Sequence, residues 1–266
     1  MHKKLIHIII FIFLLLPGFG KAQDFKKTNE YSCGENVVYF TGDAFGNMFI
    51  LYENGNFVRI DSMLTKSSLP GSKIIGEISV DTKNPFKIQL FNADEQSLTF
   101  YNQEFAPSNT ISFLNLDIGE IILSCASSED AFWVLEENGL NLIRYSSDLI
   151  KITESRGSEL FNDGFNAPTG MQENGEFLLV WQKKGSAFVL DKFGNLRWEF
   201  PENADYYALD TPYLYFFKNQ KLTAYSLLTH KEITIRLPLD EFNEMVICEK
   251  HFYFLKKGMI YHYKLQ

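Results

Sequence analysis

The chain has 266 residues, 45% of them hydrophobic and 15% aromatic, and a formal net charge of −8. This length suits one all-β domain or two small domains, and it is enough to bury a sizeable core. Because an acidic surface repels phosphate backbones, the composition argues against a nucleic-acid-binding protein.

The N-terminal segment predicts a cleaved secretory signal peptide over residues 1–22. Lys3 and Lys4 precede an uncharged apolar stretch that is interrupted at Pro17, and small residues precede a cleavage point after Ala22. This stretch is shorter than the ~18–20 apolar residues that span a bilayer, although an uncleaved anchor is the alternative. We therefore expect an exported protein, periplasmic or extracellular, without a transmembrane segment in its mature chain. Losing the three Lys of this segment would take the formal charge from −8 to −11.

Six strand–turn–strand units follow, at intervals of roughly 40 residues, which is the spacing of propeller blades. The clearest turns are Asn-Gly at 54–55 and at 138–139, because both central residues of such a turn must tolerate positive φ. In chain order the units span residues 48–60, 87–101, 131–145, 176–190, 212–225 and 251–263.

Shorter strand-like runs flank the hairpins, which gives the four strands of a blade. The sixth hairpin lacks a following run because the sequence stops at Gln266, and residues 24–32 could supply the missing strand and remove an exposed sheet edge. Apolar runs such as 177–181 would be buried on both faces between blades. The sequence thus predicts an all-β domain over 23–266. We expect a single six-bladed β-propeller of four-stranded antiparallel blades, closed by the N-terminal strand. A two-sheet sandwich is the alternative.

One stretch, residues 187–200, resembles the repeat of quinoprotein-like propellers, and residues 42–51 are similar to the start of an NHL-type blade. The matching positions in the first stretch are Asp191, Gly194, Trp198 and Phe200. The resemblance implies a packing role: the Asp accepts turn amides, the Gly adopts a left-handed conformation, and the Trp fills the space between blades. The chain is too short for the eight blades of the quinone-binding enzymes, so no cofactor is expected.

The histidines suggest only the beginning of a metal site. If the last hairpin turns at 257–258, Tyr253 faces His262 and His251 lies diagonally on the same face. A metal centre needs three or four protein ligands, and no third one is evident. Two ring side chains at the surface are the alternative, and no metal is predicted.

The three cysteines leave two interpretations open. A bond between Cys33 and Cys248 would join the two ends of the ring, and an exported protein permits it. Three buried thiols, with Cys125 halfway round the ring, are the alternative, because disulfide geometry is narrow.

The candidate binding site is the long segment 156–170 between the third and fourth hairpins. Phe161 and Phe165 flank Asn162 and Asp163, and these side chains could stack on and hydrogen-bond a sugar or a peptide. Long loops on a rigid scaffold often carry function. The alternative is that both Phe rings fix the loop onto its blade.

Two functions remain open, since propellers serve many roles. The first is an exported, non-enzymatic module in the cell envelope that binds another envelope protein or a glycan. The second is an exported glycan-directed hydrolase or lyase with acidic residues at the central channel, although no nucleophile elbow or phosphate loop occurs in the sequence. Converging acidic or His side chains at the channel mouth would favour the enzyme, and an apolar patch on one face would favour the binding module.

Overall fold

The computed structural model of the protein describes residues 24–74, 76–116, 118–162, 164–165 and 167–266. The predicted signal peptide lies outside these ranges, so its presence and its cleavage stay predictions. Within the described ranges, none of the helical segments has the length and hydropathy needed to cross a bilayer.

The described chain forms six four-stranded antiparallel sheets, which confirms the predicted propeller. Strand β1 (Phe25–Ser32) belongs to the last blade. Blade 1 contains β2 (Val37–Gly42), β3 (Met48–Tyr52), β4 (Phe57–Ile60) and β5 (Lys66–Leu69). Blade 2 contains β6 (Ile78–Asp81), β7 (Ile88–Asn92), β8 (Ser97–Tyr101) and β9 (Pro107–Ser112). Blade 3 contains β10 (Ile121–Ala126), β11 (Phe132–Glu136), β12 (Leu142–Tyr145) and β13 (Lys151–Ser155).

The second half of the chain repeats this arrangement. Blade 4 contains β14 (Gly170–Asn174), β15 (Phe177–Trp181), β16 (Gly185–Asp191) and β17 (Leu196–Ala204). Blade 5 contains β18 (Tyr206–Asp210), β19 (Tyr213–Lys218), β20 (Lys221–Ser226) and β21 (Glu232–Ile235). Blade 6 contains β22 (Glu244–Cys248), β23 (His251–Lys256), β24 (Met259–Leu265) and, as its outermost strand, β1.

The first strand of each blade lines a central channel, and each of these inner strands contacts the inner strand of the next blade around a closed circle. Because the strands of a blade are antiparallel, the turns between first and second strands and between third and fourth strands lie on one face. We call this the turn face. The opposite face, formed by the remaining turns and by the links between blades, is the link face.

The ring is closed by pairing between the two ends of the chain. Strand β1 is antiparallel to β24, from Phe25 opposite Leu265 to Ser32 opposite Met259, with one bulge. The Phe25 ring also packs edge-on against Phe252, with centroids 4.9 Å apart. The predicted closure by the N-terminal strand is therefore confirmed.

The core lies between neighbouring blades, which explains the continuous apolar runs. In β15, Leu178 and Val180 pack toward blade 3, whereas Leu179 packs toward blade 5. All three side chains are fully buried. Alternate residues of a strand point to opposite faces, so a strand that is covered on both sides needs apolar residues at every position.

The residues that resemble a quinoprotein-like repeat have a packing role. Asp191 accepts the backbone N–H groups of Phe193 and Asn195 at 2.9 and 3.0 Å and so holds the turn. Gly194 has φ of 81°, and a Cβ there would lie 2.4 Å from Oγ of Ser155 on blade 3. Only glycine fits both the backbone conformation and the close approach.

The three thiols are free in the described structure. Strand β1 runs to the link face, where Sγ of Cys33 lies 3.1 Å from the carbonyl oxygen of Gly258. Cys248 ends β22 at the turn face. The two residues share a blade but lie at opposite ends of it, so the expected alternative of a Cys33–Cys248 bond is wrong.

Deleting residues 24–32 should destabilise the whole ring, because the deletion removes the β1–β24 ladder and opens blade 6. Phe25→Ala should cost about 1–3 kcal/mol, less than a fully buried Phe because the ring is only half-buried. Thermal and urea unfolding measure both effects.

Lys26→Ala is the matched control, since Lys26 is exposed on the same strand. An unchanged midpoint after the deletion would show that β1 does not complete the ring.

Candidate functional site

The predicted binding loop lies on the link face, and its aromatic rings point into the protein. Phe165 is buried and Phe161 is half-buried. Their rings lie 4.6 Å apart, and both contact Phe188 of blade 4, at 4.7 and 5.1 Å. The amide of Asn162 is exposed and donates to the Glu199 carboxylate at 2.6 Å, and Asp163 lies outside the described residues. Ligand binding by Phe161, Asn162, Asp163 and Phe165 stays a prediction.

A second group of polar residues converges on the turn face, where all six inner strands end. An acidic residue stands at or next to the end of five of these strands: Asp43, Asp81, Glu173, Asp210 and Glu249. The channel at this mouth encloses a cavity of about 150 Å³. The mouth of the channel on the turn face is therefore the candidate site, on the face opposite the predicted loop.

Two of the five carboxylates hold the scaffold together. Asp43 accepts the backbone N–H groups of Phe45 and Asn47 within its own turn, each at 2.9 Å. Glu173 is 1% exposed. Its carboxylate accepts the indole N–H of Trp133 at 2.7 Å, the backbone N–H of Ser128 at 2.8 Å and the hydroxyl of Ser127 at 2.5 Å. These three donors belong to blade 3, so Glu173 fastens blade 4 to it.

Asp81 is also engaged, at the junction of blades 2 and 3. One carboxylate oxygen accepts the backbone N–H of Lys83 at 2.8 Å, and the other accepts that of Ala126 at 3.0 Å. Burial raises the pKa of the Asp81 carboxyl, and these bonds oppose the rise. Both oxygens are therefore directed at backbone donors.

Lys83 extends from blade 2 across the mouth. Its ammonium group donates to the backbone carbonyl of Glu173 on blade 4. Burial lowers the pKa of Lys83, and the charges of Asp81 and Glu173 oppose this effect. No carboxylate of the described residues forms a salt bridge with it; the eight ion pairs present involve other lysines and arginines.

Asp210 and Glu249 form the open part of the mouth, on blades 5 and 6. Burial and the charge of Glu249 raise the pKa of Asp210 to about 6, while Lys83 and Lys250 oppose the rise. Both carboxylates line a cleft of about 510 Å³, which Asn174 also borders. This volume is in the range of small-molecule sites. A carboxyl group with a pKa of about 6 suits proton transfer near neutral pH.

The two histidines of the last hairpin lie beside this cleft, and their predicted register is confirmed, with Tyr253 opposite His262. Nδ1 of His251 and Nε2 of His262 are 2.7 Å apart, and the His262 ring stacks on Tyr253 at 4.4 Å. The pair is buried rather than at the surface. Among the described residues, no group of three or more potential ligands stands close enough to hold a metal ion.

The acidic mouth could have been found from the sequence by aligning the inner strands rather than the hairpins. The residues that follow or end the strand-like runs are acidic at Asp43, Asp81, Asp210 and Glu249. Each of them alone is typical of a solvated strand end. They form a common site only because the ring brings the corresponding positions of all blades to one mouth of the channel.

Neither a protein-family model nor a curated protein matches the sequence. Solved propellers match the fold. Virginiamycin B lyase from Staphylococcus aureus has a TM-score of 0.62 and 13% identity, over 91% of this chain and 100% of that chain. The propeller of Cps50 (Swd1) from Myceliophteria thermophila has a TM-score of 0.55 and 11% identity, over 91% and 100%.

A third similar structure is PorZ, a surface component of the type-IX secretion system of Porphyromonas gingivalis. It has a TM-score of 0.55 and 13% identity, over 86% of this chain but only 32% of that chain. At these identities the likeness shows the propeller fold alone.

The buried histidine pair should make stability fall in mild acid. Burial lowers the pKa of His262 to about 4 from 6.5, so the folded state favours the neutral ring. Stability is then complete above pH 6.5 and is lost as the pH falls toward 4, by roughly 2–3 kcal/mol. His262→Phe should reduce this loss, measured by urea unfolding at pH 7.5 and 4.5.

His230→Ala is the control, because His230 is exposed. Equal pH dependence in wild type and His262→Phe would show that His262 does not carry the effect.

Proposed function

We propose that the protein is an exported, non-enzymatic binding module that docks another protein of the cell envelope through its turn face. One observation carries this proposal: large apolar side chains project from that face. Seven large apolar residues among those described are more than 60% exposed, and six of them stand in turns of this face. The six are Phe45, Met63, Phe86, Ile150, Phe193 and Leu228.

These apolar tips are distributed over blades 1 to 5, around the acidic mouth. Several are held in position by their own turns. Asp61 accepts the backbone N–H of Met63 at 2.9 Å, and Asn84 accepts that of Phe86 at 3.0 Å. Asp43 and Asp191 do the same for Phe45 and Phe193. A contact residue on a rigid turn loses little conformational entropy on binding, which favours affinity.

The chemistry of the partner follows from apolarity and charge. Exposed Phe, Met and Leu side chains fit apolar pockets on a protein surface. Two lysines of the turn face are neutralised by ion pairs, Lys87 with Asp130 and Lys192 with Glu176, each at 2.9 Å. With the chain's net charge of −8, this favours a partner with basic residues around its pockets.

An envelope location is supported by the signal-peptide pattern over residues 1–22. PorZ, a bacterial surface component of a secretion system, includes a region of similar fold, which supports an envelope location for a propeller of this kind. Because propellers of this fold also include lyases, the fold itself favours neither function.

Capture of a partner protein from envelope extract should depend on the apolar tips of the turn face. The immobilised propeller and a variant with Phe45→Ser, Phe86→Ser and Phe193→Ser are compared by quantitative mass spectrometry. The proposal expects at least one envelope protein whose recovery falls at least about tenfold in the variant, since central apolar contacts often contribute 2 kcal/mol or more. High salt should weaken its capture by screening.

The matched control carries Val38→Ser and Leu114→Ser, which remove two exposed apolar side chains near the link face. The control should retain the partner. Equal recovery by the wild type and the tip variant would overturn docking through this face.

The second candidate function is a glycan-directed hydrolase or lyase, and the Asp210–Glu249 cleft favours it. A carboxyl group with a pKa near 6 can donate a proton at neutral pH, and an adjacent carboxylate can accept one. Lyase activity is a property of some propellers of this fold.

If this second function holds, Asp210→Asn should lower the release of reducing ends from envelope glycans by about 10²–10⁴-fold. The remaining rate should lose its dependence on a group of pKa about 6. Asp94→Asn, on the link face, is the control. Absence of turnover by the wild type would exclude the enzyme and leave the binding module.

A further inference from the structure

Lys83 has an unusual environment, and it takes no part in the proposed docking through the apolar tips. Its side chain lines the channel cavity, together with Ser124, Cys248 and Glu249. The amine lies close enough to blades 3, 4 and 6 for Cys125, Glu173 and Cys248 to influence its pKa. It therefore stands near the axis of the ring, within reach of a small molecule that enters from the turn face.

The amine is not paired with a carboxylate, although acids surround it. Both oxygens of Asp81 accept backbone N–H groups, and the Glu173 carboxylate is held by Trp133, Ser127 and Ser128. These bonds direct the carboxylates of Asp81 and Glu173 elsewhere, and within the described part of the chain the amine donates to a backbone carbonyl alone. A neutral amine also has N–H groups that can donate to a carbonyl oxygen, so this contact can form without the charge.

Burial also favours the neutral form, because it lowers the pKa of Lys83. A neutral lysine is a nucleophile, and desolvated lysines of this kind form Schiff bases. The acids of the mouth repel anions, so phosphate or carboxylate ligands are disfavoured here. An uncharged carbonyl compound meets no such barrier.

We propose that Lys83 is a carbonyl-reactive amine, which forms a Schiff base with a small uncharged aldehyde or ketone that enters the channel from the turn face. This goes beyond the proposed docking function and does not depend on it.

The step balances without an oxidant or a reductant. The lysine nitrogen attacks the carbonyl carbon, the C–O π electrons move to oxygen, and a proton passes from nitrogen to oxygen to give a carbinolamine. The hydroxyl group of the carbinolamine then takes up a proton and leaves as water while the nitrogen lone pair forms the C=N bond, and the resulting iminium returns its N–H proton to the donor to give the imine. Amine and carbonyl thus give imine and one water.

Loss of the hydroxyl group needs a proton donor, and Asp210 fits that role. Asp210 lines the cleft together with Asn174 and Glu249, and both of these residues also line the channel cavity beside Lys83. With a pKa of about 6, Asp210 is protonated in a useful fraction at neutral pH and can be reprotonated from solvent.

The experiment traps the imine in the folded protein. Propanal is added at pH 7 with cyanoborohydride, which reduces the imine to a stable secondary amine, and alkylation of each lysine is followed in time by peptide mass spectrometry. Lys83 should be labelled several-fold faster than Lys87, because burial lowers the pKa of Lys83 and no carboxylate of the described residues is paired with its amine. Lys87 is the internal comparison: it lies in the same turn and is ion-paired with Asp130.

A second variant tests the proton donor. Asp210→Asn should slow labelling of Lys83 several-fold and leave that of Lys87 and Lys257 unchanged, and Asp94→Asn should change none of them. If Lys83 in the wild type reacts no faster than Lys87, its amine serves only as a structural hydrogen-bond donor between blades, and the proposal is overturned. Loss of a captured partner in the tip variant would not alter this result, so the two proposals fail independently.

Discussion

The six inner strands run in the same direction around one axis, and this constraint brings together residues that are far apart in the sequence. Any side chain at the end of an inner strand lies at the same mouth as its five counterparts. Asp81 and Asp210 follow different strands of different blades, yet both face the channel region that Lys83 crosses. The acidic mouth therefore arises from a position repeated in each blade, and no single loop forms it.

The two halves of this mouth differ in how fully their polar groups are satisfied. Around blades 2 to 4, the buried Glu173 carboxylate has three donors, and its backbone carbonyl accepts Lys83. A buried charge is tolerated only when its hydrogen bonds are complete, and this arrangement fixes three blades relative to each other. Around blades 5 and 6, Asp210 keeps a raised pKa because burial and Glu249 both disfavour its charge. The carboxylate that fastens neighbouring blades and the carboxyl group that suits proton transfer therefore lie in different parts of the ring.

The sequence was sufficient to predict the architecture because its signals are local. Asn-Gly turns and paired apolar runs depend on residues that are close together in the sequence, and their spacing of about 40 residues defines the blades. Counting the strands of each blade shows that the sixth lacks an outer strand. The positions of Cys33 and Cys248 could not be resolved in this way. Both belong to the last blade, and only the opposite directions of β1 and β22 separate them.

The candidate site was harder to predict because it depends on packing between blades. Phe165 in a polar loop is compatible with solvent or with the core, and the space beside Phe188 decides the outcome. Lys83 is likewise an ordinary turn residue until its side chain is seen to reach Glu173 on another blade. Each apolar tip is a single apolar residue in a turn of the sequence. That these residues share one face of the ring follows only from the directions of the strands in the structure.

The pairing of β1 with β24 also sets the order in which the molecule can be completed. Residue 25 meets residue 265, so the last blade cannot form until the chain has been made through residue 265. Until then β1 lacks its partner strand, and an unpaired strand edge is the kind of edge that pairs with other chains. Contacts between such distant residues form slowly, since the whole intervening chain must be closed into a loop. When the chain emerges N-terminus first, strand β1 therefore stays unpaired until residues 259–265 have also emerged.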